Sequence, residues 1–320
     1  MRPRVLALTG PTTSGKTAVG LALARRLGGE IISMDSRQVY RGMDIGTDKV
    51  RADERRGVPH YGLDLVDPDE RYSAGRFARD ARTWIAEIEQ RGHLPVLVGG
   101  TGFFLRAVLT PIFQEPPLDA ERRRRLRAWL GARPLDLLER WVGRLDPDRA
   151  ALAVEGGRQR LLRTLEVPLL TGRSLSWWHR EAPSDGPAVP ALVVCLECER
   201  DELDRRIDAR VSRMVERGFL DEVRGLMDRG YDAADPGMSG TGYREVAEAL
   251  EGRRSLDDAL DEMRRQTRRY ARRQLTWFRN QLPDDAVRLD VNLGAEALVE
   301  RIEALWKERR TTTTATGNDA

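Results

Sequence analysis

Residues 6–28 read LALTGPTTSGKTAVGLALARRLG, and the order of chemistry in that stretch decides the fold. An apolar run, Val5-Leu6-Ala7-Leu8, leads into a loop in which Gly10, Gly15, Lys16 and Thr17 satisfy the phosphate-loop spacing G-x-x-x-x-G-K-[ST]. Val19, Leu23 and Leu27 then recur at helical spacing. Strand, glycine-rich loop and helix in that order make a phosphate cradle. The glycines let backbone N–H groups close around phosphate oxygens, and the helix N-terminus adds positive potential. Lys16 supplies a point charge and Thr17 a hydroxyl for Mg2+. The loop alone leaves open whether the phosphates belong to ATP or to another donor.

Working outward, the apolar runs Val5–Leu8, Ile31–Met34 and Leu94–Val98 alternate with helical patterns. Ser73 reads as the start of a helix whose inner face is Phe77, Ala81, Trp84, Ile85 and Ile88. Alternation of this kind predicts an α/β fold, a parallel sheet with helices on its faces. Binding groups gather at the C-terminal ends of such strands, where Gly10–Thr17, Asp35 and Thr101 would meet. After FQEPPLD (residues 113–119) the character changes to arginine-rich helical sequence, through ERRRRLRAWL (121–130) and RQRLLRTLEVPLLTG (158–172). Two units are therefore expected: a core of residues 1–117 and 189–310, and a helical insertion over 118–188. Val189–Leu196 returns to the sheet, a short strand lies near Val287–Val291, and a last helix runs to about Arg310. The polar ending TTTTATGNDA (311–320) has nothing to bury and reads as a disordered tail.

With 320 residues, 40% of them hydrophobic and 33% charged, the chain has material for a large core and a smaller appended unit. No apolar segment approaches the roughly 20 residues that span a bilayer, and nothing ahead of the first strand reads as a signal peptide. A cytoplasmic monomer that does not engage membranes is expected. Cys195 and Cys198 lack a nearby second pair of Cys or His, so a zinc site is excluded and packing is the better reading. Net charge is only +3, so any nucleic-acid surface must come from clustering.

Two arginine patches supply such clusters. Arg160 and Arg163 lie three apart on one helical face, with Gln159 beside them and Leu161, Leu162 and Leu165 opposite. Residues 264–279, RRQTRRYARRQLTWFR, carry seven arginines and no acid, interleaved with Tyr270, Trp277 and Phe278. Each patch alone reads equally well as a solvated helix face; together they favour a polyanionic partner. Near the cradle, IISMDSRQVYRGMDIGT (31–47) places Asp35, Ser36 and Gln38 just past the second strand. A carboxylate there can act as general base or Mg2+ ligand, and Gln38 offers donor and acceptor to a base edge. VLVGGTGFFL (96–105) puts Thr101 at the third strand's exit, either contacting a ligand or capping the next helix.

GPTTSGKT, DSRQVYRGMDIGT, LVGGTGFFLRA, QRLLRTLEVPLLTG, RVSRMVERGFLDEV, GYRE and RRYARRQLTWFR occur in this order. That succession, from about Val5 to Arg279, resembles the bacterial tRNA dimethylallyltransferases, also called isopentenyl-tRNA transferases. The resemblance implies a P-loop kinase-like fold with a helical insertion. It implies transfer of a dimethylallyl group from dimethylallyl diphosphate, with Mg2+, to the exocyclic N6 amine of the adenosine 3′ of the anticodon. Gly10, Pro11, Thr12, Thr13, Ser14, Gly15, Lys16 and Thr17 would then hold the diphosphate, with Arg210 as a further contact and Thr17 on the metal. Asp35 would accept the amine's proton and Thr101 would hydrogen-bond the same base. Ser36, Arg37, Gln38, Arg123 and the run Gln159, Arg160, Leu161, Leu162, Arg163 match tRNA-contacting positions, as do Asp35 and Thr101.

The chain departs from the family pattern in three places. Thr13 stands where alanine is common, SGTGYRE (239–245) lacks the usual apolar and small-Ile run, and PHYGLDLVDPDE is altered ahead of Asp67. The main rival is a P-loop small-molecule kinase, since the same cradle serves phosphoryl transfer, but it leaves both arginine patches without a partner. An ATP-driven nucleic-acid remodeller would want an acid where Leu94–Val98 runs into Gly-Gly-Thr. A prenyltransferase for free adenine nucleotide would need neither the insertion nor the basic helix.

Overall fold

The computed structural model describes residues 2–111, 113, 118–182 and 186–311. Among the described residues the strands are β1 (Val5–Thr9), β2 (Gly29–Ser33), β3 (His60–Tyr61), β4 (Leu94–Val98), β5 (Ala191–Glu197) and β6 (Val287–Asp290). They form one parallel sheet in the order β3-β2-β4-β1-β5-β6. Every residue of β1, β2 and β4 is buried. That explains why these strands read as unbroken apolar runs: both faces of a parallel sheet are covered by helices. Glu30 is the charged exception. Its buried carboxylate is held by Arg91, His93 and Tyr61, and Arg91 foremost draws its pKa down to about 2.

Helices α1 (Lys16–Leu27), α2 (Ala74–Gln90) and α3 (Gly102–Leu109) follow β1, β3 and β4. Ser73 caps α2 by accepting from Arg76 N–H, and Phe77, Ala81, Ile85 and Ile88 face inward; Trp84 is only half-buried. After β5 come α9 (Arg200–Glu216), α10 (Phe219–Asp228), α11 (Tyr243–Leu250) and α12 (Leu256–Gln281), and α13 (Ala295–Thr311) closes the chain. Leu6, Leu8, Val19, Leu23, Val96, Leu192, Val194, Ile207 and Ile302 belong to one core on the sheet. Thr311 ends α13; the rest of the expected tail, 312–320, lies outside the described residues.

The chain divides into two compact units, Met1–Thr110 with Ala188–Ala320, and Pro111–Pro187. The second unit starts ahead of the composition change at 118. It comprises α4 (Ala120–Gly131), α5 (Leu135–Leu145), α6 (Ala150–Glu155), α7 (Gly157–Thr171) and α8 (Leu175–Glu181). Its own core is built from Leu130, Leu138, Val142, Ala153, Leu161, Leu162 and Leu165. Among the described residues no helix is long and apolar enough to cross a membrane. Cys195 and Cys198 are buried free thiols, and burial pushes the Cys195 pKa up to about 12, so the packing reading holds.

Candidate active site

Parallel strands all release their chains at the same edge, and three exits converge there. The phosphate loop leaves β1 and bends through Thr13, whose φ of 63° is left-handed, and Gly15, whose φ is 83°. A threonine in that region carries backbone strain that glycine or asparagine would avoid. The Thr13 and Ser14 hydroxyls are buried with no hydrogen-bond partner among the described residues, and Thr17 is exposed at the start of α1. Lys16 Nζ donates to the Pro11 carbonyl at 2.8 Å. Burial of this ammonium, only partly offset by the Asp35 charge, pushes its pKa down to about 8. A cation held this way gains from a bound anion.

Beside the loop, β2 and β4 bring Asp35 and Thr101 together through their backbones. Thr101 N–H donates to the Met34 carbonyl (3.2 Å), and Met34 N–H to the Val98 carbonyl (2.8 Å). A Cβ on Gly99 would sit 2.2 Å from the Met34 carbonyl oxygen, so only glycine permits this approach. Thr101 occupies the N-cap position of α3 without capping it; its hydroxyl accepts from Ser36 N–H (3.1 Å). Asp35 is half-buried and accepts from Arg37 N–H (2.8 Å). Tyr270 of α12 stands beside both, its pKa pushed up to about 12 by burial and then by Asp35.

Arg210 of α9 reaches over the loop, donating from Nη1 to Thr12 Oγ1 (2.6 Å) and from Nη2 to the Thr47 carbonyl (3.4 Å). Gln38, expected to read a base edge, is otherwise engaged. Its oxygen accepts from Ser33 Oγ (2.9 Å) and its amide donates to the carbonyls of Thr47 and Asp48. Sequence reasoning missed Gln274, a buried side chain of α12. Its oxygen accepts from Thr12 N–H (2.8 Å) and its amide donates to the Gly100 carbonyl (2.7 Å), tying the phosphate loop to the β4 exit. The Thr12 N–H is therefore committed to Gln274 and not free to grip phosphate. The sole hint in the sequence is a glutamine inside an otherwise arginine-rich stretch.

Two cavities meet at these residues. One, of about 380 Å3, is lined by Lys16, Thr17, Asp35, Gly100, Arg210 and Gln274 among others. The other, of about 430 Å3, is lined by Ser36, Arg37, Ser239, Arg244, Gln266 and Arg273 among others. They share Thr12, Asp35, Thr47, Arg210 and Tyr270. Asp35 therefore lies where the phosphate cradle meets a second cavity that carries Arg37, Arg244 and Arg273. Thr17, exposed at the rim of the first cavity, offers one hydroxyl oxygen there, which suits Mg2+, an ion that takes one or two protein oxygens plus substrate phosphates and water.

Residues 38–281 match the family model described as IPP transferase, and residues 3–64 match that described as isopentenyl transferase. A tRNA dimethylallyltransferase of Geobacillus thermodenitrificans is 43% identical over 88% of this chain and 90% of its own length. The chain belongs to the tRNA dimethylallyltransferase family. The crystal structure of the full-length tRNA isopentenylpyrophosphate transferase from Bacillus halodurans is 36% identical, covers 98% of this chain and all of the other, and has a TM-score of 0.69. A eukaryotic dimethylallyltransferase captured acting on tRNA has a TM-score of 0.74 at 28% identity, over 90% of this chain and 74% of its own.

As a dimethylallyltransferase-family protein, the chain was expected to contact tRNA through Arg123 and Gln159–Arg163, and the second unit revises that list. Leu161 and Leu162 are buried in its core, because the arginines and the leucines of α7 occupy different faces; their side chains pack rather than bind. Arg160 is exposed and donates to the Leu152 carbonyl. Arg123, Arg127 and Arg163 all converge on the fully buried carboxylate of Glu166, and Arg127 also holds Gln159. The patch over 264–279 is likewise partly internal. Arg264, Arg268 and Arg272 face Asp204 and Asp208 of α9, while Ala271, Gln274 and Phe278 are buried. Arg273 remains at the second cavity, beside Ser239, Gly240, Thr241 and Arg244, none of which had been assigned to the site.

Proposed function

We propose that this chain transfers a dimethylallyl group from dimethylallyl diphosphate to N6 of the adenosine 3′ of the anticodon in tRNA. The pair of cavities meeting at Asp35 carries the reading: a cationic phosphate cradle abuts a polar pocket, with a carboxylate between them. In this reading N6 attacks the allylic carbon as its bond to diphosphate oxygen breaks. Asp35 accepts the proton lost from the amine, and Thr101 and Ser36 position the base. Lys16, Arg210 and the loop stabilise the charge that builds on the departing diphosphate. Mg2+, held by Thr17 and the phosphate oxygens, would add charge neutralisation there. Arginines of the second unit, Arg160 foremost, would contact the RNA backbone.

Mass spectrometry of ribonuclease fragments of tRNA incubated with the protein, Mg2+ and either dimethylallyl diphosphate or ATP tests the reading. A prenylated adenosine is expected at the position after the anticodon. Phosphorylated product from ATP in its place would overturn it.

A further inference from the structure

Close to the phosphate loop lies a second run of backbone N–H groups, already filled by one of the protein's own side chains. The turn over 44–46 presents three successive N–H groups to Glu222 of α10. Asp44 and Ile45 donate to Oε2 (2.9 and 2.6 Å), and Gly46 donates to Oε1 (3.1 Å). Oε1 also accepts from the hydroxyl of Tyr243, the first residue of α11 (2.6 Å). Tyr243 is 1% exposed, and burial foremost keeps its hydroxyl protonated as a donor. A Cβ on Gly46 would lie 2.3 Å from Phe219 and 2.6 Å from Tyr243, so the turn is pressed against both rings. Such a nest of N–H groups is an anion site, and here its anion is intramolecular.

The next residues of the same turn touch the donor cavity. The Thr47 carbonyl accepts from Arg210 and from Gln38, and the Asp48 carboxylate lies 3.8 Å from Arg210 and 3.3 Å from Arg217. Arg210 in turn donates to the Thr12 hydroxyl in the phosphate loop. We infer that Glu222 is a positioning residue for the donor diphosphate: by anchoring the 44–46 nest it sets Thr47 and Asp48, and they orient Arg210 over the loop. Three stretches far apart in sequence, DIGTDK, GFLDEV and GYRE, become one mechanical unit. Charge-assisted bonds from a carboxylate to several N–H groups are the strong kind, and they hold the turn without closing the cavity.

The inference rests on the reading of Arg210 as a diphosphate contact, and a double-variant cycle separates the two. Inorganic diphosphate with Mg2+ is titrated calorimetrically into the full chain as wild type, Glu222→Gln, Arg210→Ala and both together. Glutamine keeps one acceptor oxygen and loses the other. Glu222→Gln should weaken binding by about five- to tenfold, the difference between a charged and a neutral acceptor, and add nothing in the Arg210→Ala background. Unchanged affinity in Glu222→Gln would overturn the proposal. So would equal weakening in both backgrounds, since Glu222 would then act independently of Arg210. If Arg210→Ala bound as wild type, the reading of Arg210 would fail and take the proposal with it. Should Glu222→Gln not fold, Tyr243→Phe removes one of the four donors to the same carboxylate. A loss of about two- to threefold that vanishes without Arg210 is expected, and no loss would overturn the proposal.

Discussion

Lys16→Arg separates charge from titration at the phosphate loop. Burial holds the Lys16 ammonium at a pKa of about 8, below its ordinary 10.5. A bound diphosphate sets negative oxygens against it and returns the pKa towards the ordinary value. At pH 9 the free protein then carries about 0.1 of a proton on Lys16 and the complex nearly a whole one, so binding takes up roughly 0.9 of a proton; at pH 7 it takes up about 0.1. Donor affinity should therefore be flat below pH 8 and fall above it. The ligand does not blur the window, because a terminal phosphate loses its second proton near pH 6, at about pKa 6. Calorimetric titration of dimethylallyl diphosphate, without tRNA, in buffers of contrasting ionisation enthalpy reads the uptake directly. Arginine stays protonated throughout, so Lys16→Arg should show almost none. Equal uptake in the two proteins at pH 9, or none in either, would refute the reasoning.

The same depression bears on folding, with a definite sign. A base whose folded pKa lies below its unfolded value is disfavoured as a cation in the native state. The cost is fully present below pH 8 and disappears as pH rises through 10.5. Lys16→Met should accordingly stabilise the ligand-free protein at pH 7 by at most about 3 kcal/mol, and not at all near pH 10.5. Denaturant midpoints at the two pH values check this.

Four further outcomes follow from the site and the second unit. Asp35→Asn should lower single-turnover prenyl transfer by roughly 10²- to 10⁴-fold with much smaller changes in donor and tRNA affinity; a wild-type rate would make Asp35 a positioning residue. Gln274→Leu strands the Thr12 N–H and the Gly100 carbonyl, so unfolding should become easier by about 1–3 kcal/mol and the donor KM should rise. Arg160→Glu should weaken tRNA binding and reduce the slope of log affinity against log salt by about 0.7 to 0.9. Leu162→Ala should leave that slope alone while costing about 2–5 kcal/mol of stability, because it opens the core of the second unit.

What the sequence determined by itself was everything carried by short-range pattern. The cradle from Gly10 to Thr17, the buried runs that became β1, β2, β4 and β5, and the Ser73 cap of α2 are written in spacings of a few residues. A parallel sheet places all its strand exits on one edge, so Asp35 and Thr101 could be assigned to one site before any contact was known. Tertiary structure decided the partners. The two-residue β3 carries no pattern of its own and exists only because β2 offers it an edge. Gln274 meets Thr12 across 262 residues of chain, and Glu222 fills a nest 176 to 178 residues before it. Which arginines are spoken for was equally invisible: Glu166 gathers three of them, and Asp204 and Asp208 face three more. Periodicity states which face of a helix turns inward. Which carboxylate, carbonyl or ring waits there depends on how helices distant in sequence pack against one another, and no local spacing encodes that.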